Sequence, residues 1–190
     1  MPRCAVNGAE LYYELHGSGE PMLLVPGFTV SAAVFEPVLA AYARRFRCIL
    51  FDNRGSGRTR APARPTSMPE LAADAAGLLA ALGVDSAHVY GVSMGGMVAQ
   101  ELALRFPERV RGLVLGATTS GGPRSVRPAA GELSALASAV AGGRRRPAPP
   151  ARRAPRRSAP TATPPSRPTT CRGASMPPRA KRRDRPGARR

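Results

Sequence analysis

Several residue types are scarce or absent in this 190-residue sequence, and so are long apolar runs. There is no tryptophan, one lysine against 28 arginines, and three cysteines. Three widely spaced cysteines favour neither a disulfide framework nor a zinc site, and we interpret Cys48 as a small core residue of a strand. The N-terminus lacks an apolar signal region, and Pro, Gly or charge interrupts every apolar run before membrane-spanning length. We therefore expect a cytoplasmic protein that does not enter a membrane.

Aromatic residues and balanced charge are confined to the first part of the chain. Residues 1–120 carry 11 basic and 10 acidic side chains, whereas residues 121–190 carry 18 basic and 2 acidic ones. The last aromatic residue is Phe106, and residues 141–190 contain 11 prolines. Such a segment cannot bury enough apolar surface to offset its chain entropy. We predict a folded part over residues 1–120, a linking region over 121–143 and a disordered Arg/Pro-rich tail over 144–190.

Short apolar runs alternate with helical patterns over the first 120 residues. Asn7-Gly8 is typical of a two-residue hairpin turn, and Ser67 followed by Glu70 predicts a capping box that opens a helix. Strands that alternate with helices indicate an α/β fold with a mostly parallel sheet and flanking helices. The predicted strands are Arg3–Val6, Ala9–Leu15, Pro21–Val25, Cys48–Phe51, His88–Tyr90 and Val110–Leu115. Helical spacing predicts one face and a helix that settles after Pro37 for the residues Val34, Phe35, Val38, Leu39 and Tyr42. Further helices are predicted from Ser67 to Leu82, closed by Gly83, over Met94–Arg105 and over Glu132–Ala141.

The segment from His88 to Gly96 reads as a strand, then Gly-x-Ser-x-Gly, then a helix. This is the layout of a nucleophile elbow, in which a serine is held on a strained turn with its hydroxyl exposed. Gly91 and Gly95 would avoid clashes there, and the helix N-terminus favours developing negative charge. We predict that Ser93 is a nucleophile. The alternative is a glycine-rich strand-to-helix turn without catalysis.

Two further loops follow predicted strands. If Ser93 is the nucleophile, the backbone N–H of Met94 and that of Phe28, in Pro26-Gly27-Phe28, are the expected oxyanion-hole donors. The alternative for the earlier loop is an ordinary Pro-Gly turn. The glycine-rich segment that starts at Asp52 lacks the spacing of a phosphate-binding loop, so we interpret it as a structural turn in which Asp52 holds a loop near the pocket mouth.

Together these segments resemble the α/β-hydrolase family, in the branch of 3-oxoadipate enol-lactonases, carboxylesterases and cofactor-free haloperoxidases. The resemblance covers about residues 3–120, which would be the N-terminal part of the domain, with 121–143 the start of a cap region or a linker. It implies hydrolysis of a small ester or lactone through an acyl-serine intermediate, without metal or organic cofactor. The segments that carry it are Tyr13-Glu14-Leu15-His16-Gly17-Ser18-Gly19, Val25-Pro26-Gly27-Phe28, Phe51-Asp52-Asn53-Arg54-Gly55-Ser56-Gly57, Gly91-Val92-Ser93-Met94-Gly95-Gly96 and Pro107-Glu108-Arg109-Val110-Arg111-Gly112-Leu113-Val114-Leu115.

The sequence departs from the family in its acid and base, which should follow the serine in the order Ser, Asp or Glu, His. No histidine follows His88. We expect both histidines, His16 and His88, to be structural or solvated, since His88 starts the strand whose far end leads to Ser93. The acid and base of the triad are thus not identified, and we expect a truncated, catalytically impaired hydrolase. The acidic residues after Ser93 are Glu101, Glu108, Glu132 and Asp184, none of them where the family has its acid.

The composition of the tail allows two explanations. Arg, Pro, Ala, Gly, Ser and Thr all have GC-rich codons, so a shift of reading frame between Gly121 and Gly143 would produce such a segment. The alternative is a basic arm on a non-catalytic α/β fragment, which would bind nucleic acid or another anionic surface through phosphate contacts. Without aromatic residues it would have little capacity for base stacking. The identity of the substrate and the oligomeric state stay open.

Overall fold

The computed structural model describes residues 2–122, together with residues 125 and 131. The predicted helix over Glu132–Ala141 and the tail over 144–190 lie outside the described residues, as does most of 121–143. In the described part, the chain alternates strands with helices. The elements are β1 (Arg3–Val6), β2 (Ala9–His16), β3 (Glu20–Val25), a 3₁₀ turn (Ala32–Phe35), α1 (Glu36–Tyr42), β4 (Phe46–Phe51), α2 (Met68–Ala81), β5 (Ala87–Val92), α3 (Met94–Arg105), a second 3₁₀ turn (Pro107–Arg109) and β6 (Val110–Gly116).

The six strands form one sheet in the order β1-β2-β4-β3-β5-β6. β1 and β2 are antiparallel to their neighbours, whereas β4, β3, β5 and β6 run parallel. Val6 pairs with Ala9, so the first hairpin loop contains only Asn7 and Gly8. Their φ angles of 46° and 74° are those that a two-residue hairpin turn favours. The predicted α/β class with a mostly parallel sheet is therefore confirmed.

Apolar side chains cover both faces of the sheet because successive residues of a strand point to opposite sides. On β3, Leu23 and Val25 belong to one core cluster, and Met22 and Leu24 belong to the other. The larger cluster lies between the sheet and helices α2 and α3, and the smaller one contains Phe35 beside the 3₁₀ turn and α1. Cys48 is fully buried in the smaller cluster, which confirms it as a core residue. The fully buried members of the larger cluster include Leu11, Ile49, Phe51, Leu78, Leu79, Val98 and Leu102.

The start of α2 differs from the prediction. Ser67 is the N-cap residue, but its side chain makes no capping hydrogen bond. The carboxylate of Glu70 instead pairs with the guanidinium of Arg64 in the preceding loop. Only part of the predicted capping box forms, because the Ser67 hydroxyl does not cap the helix, whereas the Glu70 carboxylate interacts with both Arg64 and the backbone of Ser67, and both lower its pKa. The end of α2 is as predicted, with Gly83 at a φ of 67°.

The first helical segment is also only partly as predicted. The chain first makes a 3₁₀ turn, and α1 then begins at Glu36 with Pro37 in its first turn. Phe35 is buried, but Val34 and Val38 are 48% and 39% exposed. A single helical face was expected to hold all three side chains. The 3₁₀ turn has three residues per turn rather than 3.6, which rotates Val34 away from the core.

Candidate active site

Ser93 is the one residue between the end of β5 at Val92 and the start of α3 at Met94. Its backbone has φ 55° and ψ −122°, a region that non-glycine residues rarely occupy. Such a conformation costs on the order of 1–3 kcal/mol and persists only where the surrounding structure enforces it. The sharp turn places the serine at the carboxyl end of a parallel strand and at the N-terminus of a helix.

The two glycines of the Gly-x-Ser-x-Gly segment are required by close backbone contacts. A Cβ on Gly91 would overlap the carbonyl oxygen of Gly95 in the first turn of α3. A Cβ on Gly95 would in turn overlap the carbonyl oxygen of Val25 at the end of β3. The helix can therefore approach both β5 and β3 only with glycine at these positions.

The backbone of Ser93 is fixed on both sides, while its side chain is not. Its N–H donates to the carbonyl oxygen of Gly116 at 2.9 Å, and its carbonyl oxygen accepts from Gly96 N–H at 2.9 Å and from Thr118 Oγ1 at 2.7 Å. Ser93 is exposed, and its hydroxyl has no hydrogen-bond partner within the described part of the chain. The backbone of Ser93 is thus held in place, and its hydroxyl is open to a small molecule.

The loop after β3 lies against Ser93. A Cβ placed on Gly27 would be 3.4 Å from the Cβ of Ser93. The next residue, Phe28, is 62% exposed. Within residues 2–122, the backbone N–H groups of Phe28 and Met94 donate no hydrogen bond, and that of Met94 lies in the first helical turn, where N–H groups have no partner in the helix. Two unpaired donors therefore lie on the segments that flank the serine.

Asp52 and Asn53, at the carboxyl end of β4, hold this loop. Asp52 Oδ1 accepts from the N–H of Ala32 at 2.7 Å, and Asn53 Nδ2 donates to the carbonyl oxygen of Pro26 at 2.9 Å. On its other side, Asp52 Oδ2 accepts from the backbone N–H of Arg58 at 2.7 Å. The interpretation of Asp52 as a residue that holds a neighbouring loop is confirmed by these contacts.

A polar cluster of Tyr12, Glu14 and Arg58 continues from Asp52. Arg58 lies 3.7 Å from the ring centroid of Tyr12, and its Nη1 is 3.0 Å from Oε1 of Glu14. Burial opposes the ionisation of Glu14 most strongly, but hydrogen bonds from Tyr12 and His16 outweigh it, so the pKa of Glu14 lies below its usual range. The charge of Arg58 acts in the same direction. Burial likewise opposes the charge of Arg58, but its contact with Asp52 keeps the pKa of Arg58 raised.

The structure does not bring either histidine to the serine. His16 ends β2 with its Nε2 at 2.9 Å from Glu14 Oε2, and His88 Nε2 lies 3.0 Å from Glu20 Oε2. His88 is the second residue of β5, and five extended residues separate it from Ser93 by roughly 16 Å.

The acidic residues after Ser93 do not complete a triad in the described part of the chain. Glu101 lies on α3 at 2.5 Å from Arg105, and Glu108 is exposed in the second 3₁₀ turn. Glu132 and Asp184 lie outside the described residues. Within residues 2–122, no histidine or carboxylate is therefore placed as a base or acid for Ser93.

Two contacts at the site were missed by the sequence analysis. Asn53 was quoted only as part of a turn, and Thr118, which holds the carbonyl of Ser93, was not considered. The sequence did contain a signal for these two residues. Asn53 and Thr118 each follow a strand at the carboxyl edge of the parallel sheet, where binding residues lie in α/β folds.

Neither a metal centre nor a membrane segment emerges from the described residues. No group of three or more His, Cys, Asp or Glu side chains could hold a metal ion there. In the same part of the chain, no helix has the length and apolar character needed to cross a membrane.

The described structure has a mostly parallel sheet with helices on both faces and a serine on a strained strand-to-helix turn. This is the arrangement of α/β proteins that carry a nucleophile elbow. Residues 20–182 match the family model described as the alpha/beta hydrolase fold. The chain therefore belongs to the α/β-hydrolase family, as the resemblance implied.

Three relatives illustrate the similarity. The "Putative carbamate hydrolase RutD" of Azorhizobium caulinodans is 44% identical over 115 residues, which are 60% of this chain and 43% of that protein. The "Putative non-heme bromoperoxidase BpoC" of Mycobacterium tuberculosis is 40% identical over 110 residues, 57% of this chain and 42% of that protein. The crystal structure of the enol-lactonase from Burkholderia xenovorans LB400 has a TM-score of 0.61 and 32% identity, covering 63% of this chain and 47% of that one. The chain thus spans less than half the length of the curated relatives named here.

Proposed function

We propose that this chain is the N-terminal part of a cytoplasmic serine hydrolase that attacks a small ester or lactone through an acyl-serine intermediate. One observation carries the proposal above the others. Ser93 adopts a strained backbone conformation at a strand-to-helix turn, with its backbone hydrogen-bonded and its hydroxyl free. Strain of this kind persists where the position of a side chain matters.

The proposed reaction follows from the groups around the serine. Ser93 Oγ attacks the carbonyl carbon of the substrate, and the carbonyl oxygen acquires negative charge. The N–H groups of Phe28 and Met94, unpaired in the described structure, donate to that oxygen. The Oγ proton passes to water, the bond to the leaving alcohol breaks, and the alkoxide takes a proton from water. A further water then adds to the acyl carbon, the bond from that carbon to Oγ breaks, and Oγ regains a proton as the acid leaves. Each such donor contributes roughly 3 kcal/mol to the stabilisation of the transition state.

The Ser93 hydroxyl has no general base to accept its proton among the described residues. A general base must lie within hydrogen-bond reach of the serine hydroxyl, and no described residue meets that condition. The sequence also contains no histidine after Ser93. Loss of the base in serine proteases lowers the rate by about four to six orders of magnitude, so we expect only a residual reactivity here.

The names of the relatives support an acyl substrate. Carbamates and enol-lactones both present a carbonyl carbon bonded to a leaving oxygen or nitrogen, and these are the compounds for which two of the similar proteins are named. Phe28 follows Gly27, which lies against Ser93, and its exposed side chain gives this loop an apolar surface for a small acyl group. The proposal therefore covers small esters, lactones and related acyl compounds.

A fluorophosphonate probe tests the proposed nucleophile. Because no described residue activates the hydroxyl, wild-type protein should be labelled slowly, over a long incubation, but on the peptide that contains Ser93, and that peptide should not be labelled in Ser93→Ala. Labelling to the same extent in the Ser93→Ala variant would contradict the proposal.

The charge of the C-terminal segment favours a second candidate function. Residues 141–190 carry 16 basic side chains and one acidic one. As an arm that binds nucleic acid, this segment would give an affinity that falls steeply with salt. Titration of a DNA duplex at 50 and 200 mM salt tests it, and a salt-independent affinity would exclude it. A tail produced by a shifted reading frame would have no selected partner of this kind.

A further inference from the structure

The loop between β3 and the first 3₁₀ turn, residues 26–31, carries Phe28. Contacts from the two residues that follow β4 hold both of its ends. Asn53 Nδ2 donates to the carbonyl oxygen of Pro26 at 2.9 Å, and Asp52 Oδ1 accepts from the N–H of Ala32 at 2.7 Å. Asn53 is 1% exposed and Asp52 is fully buried. Two consecutive buried residues thus clamp the loop that supplies one proposed oxyanion donor.

The loop has little else to fix the direction of its amides. The side chain of Phe28 is mostly exposed and packs little against the protein. Thr29 has a φ of 58°, an unfavourable conformation for a β-branched residue, and its buried Oγ1 has no hydrogen-bond partner among the described residues. Because the side chains contribute little, the orientation of the peptide between Gly27 and Phe28 depends on backbone contacts, above all on the bond from Asn53 to Pro26.

A residue selected for stability alone would have hydrogen-bond partners for all of its buried polar atoms, and Asn53 does not. Its Oδ1 is buried and has no partner within the described residues. An unpaired buried acceptor is unfavourable, and an apolar side chain of the same size would avoid it. The amide is therefore better explained by its Nδ2 contact to the loop than by a contribution to stability.

We infer that Asn53 is a positioning residue, whose hydrogen bond to the Pro26 carbonyl orients the Phe28 N–H toward the oxyanion formed at Ser93. The inference rests on the proposed function. Asp52 clamps the same loop, but it also bonds to Arg58, so a change there would disturb a larger network. A substitution of Asn53 therefore tests the orientation of the loop separately from the stability of the fold.

The test compares Asn53→Leu and Asn53→Asp with the wild type in the full-length chain. Both variants remove the donor, one with an apolar side chain and one with a carboxylate of similar size. Fluorophosphonate labelling gives a maximal rate of inactivation and an apparent affinity of the probe, and thermal unfolding gives the Tm. Loss of an oxyanion donor typically reduces rates by 10²–10³, so a misdirected donor should lower the maximal rate of inactivation at least about tenfold. The affinity should stay unchanged. The Tm of Asn53→Leu should change little, because removal of the unpaired Oδ1 offsets the loss of the bond to the Pro26 carbonyl.

Asn7→Asp provides the matched control for stability. Asn7 Nδ2 donates to Asp74 Oδ1 at 3.2 Å, far along the chain from the loop, so a second carboxylate there should lower the Tm without lowering the maximal rate of inactivation. Asn53 variants that are labelled within twofold of the wild-type rate would overturn the inference. A fall in rate that only accompanies a fall in Tm, or a change confined to probe affinity, would also overturn it. Wild-type protein that is labelled no more than Ser93→Ala would instead refute the proposed function, and the inference with it.

Discussion

The buried ion pair between Arg54 and Asp74 should be the polar contact on which the stability of the described fold depends most. Arg54 Nε and Nη2 each lie 2.9 Å from a different oxygen of Asp74, and the two side chains are 2% and 1% exposed. Arg54 Nη2 also donates to the carbonyl oxygen of Asn7 at 3.0 Å. The pair therefore joins the first hairpin, the loop after β4 and helix α2. Asp74→Ala would leave a buried guanidinium without its counter-charge, which typically costs about 3–5 kcal/mol.

Urea unfolding followed by circular dichroism measures this effect. With a slope of about 1–3 kcal/mol per M, a loss of this size lowers the urea midpoint by roughly 2 M. The control is Glu10→Ala, which breaks the pair with Arg60, an N–O contact of 3.7 Å between side chains that are 57% and 71% exposed. That change should cost no more than about 1 kcal/mol. Replacing both Arg54 and Asp74 with leucine should recover most of the loss. A free energy of unfolding that Asp74→Ala lowers no more than Glu10→Ala would refute the reasoning.

Three further predictions concern single side chains. The lowered pKa of Glu14 stabilises the fold above the unfolded pKa, about 4.3, and this stabilisation is lost as pH falls through the folded pKa; the difference in free energy of unfolding between wild type and Glu14→Gln should therefore be larger at pH 7 than at pH 3, and an equal difference at both would contradict it. Ser67→Ala should lower the free energy of unfolding by less than about 0.5 kcal/mol, because the hydroxyl makes no capping bond, and a loss of 1 kcal/mol or more in urea would show that the bond forms. Gly95→Ala should destabilise the fold by about 1–3 kcal/mol because its methyl group overlaps the Val25 carbonyl, and an unchanged urea midpoint would disprove this close contact.

Features that depend on neighbours in the sequence could be predicted. Short apolar runs bounded by turn residues located the strands, and the bounds of α3 at Met94 and Arg105 were predicted without error. The conformation of Ser93 followed from glycines two residues away on each side, because close packing of a helix on a strand leaves no space for a Cβ. Asn7-Gly8 likewise predicted its own turn.

Features that depend on distant partners could not be predicted. Arg54 and Asp74 are separated by 20 residues, and Asn53 is 27 residues from Pro26, so neither contact leaves a periodic pattern. The pairing of Glu70 with Arg64 was missed for the same reason on a smaller scale, since Arg64 lies outside the Ser-x-x-Glu segment. Local spacing indicates which polar residues are available, but the fold decides which of them meet.

Acetylation by p-nitrophenyl acetate tests the central claim most directly, because the activated leaving group reduces the need for a base in the first step. Without a base to activate water, the acetyl group should then remain on the serine. Intact-mass and peptide analysis should find one acetyl group per chain on the peptide that contains Ser93, and none there in Ser93→Ala. Protein that is not acetylated at this peptide, or whose corresponding peptide is acetylated to the same extent in Ser93→Ala, would contradict the assignment of Ser93 as a nucleophile.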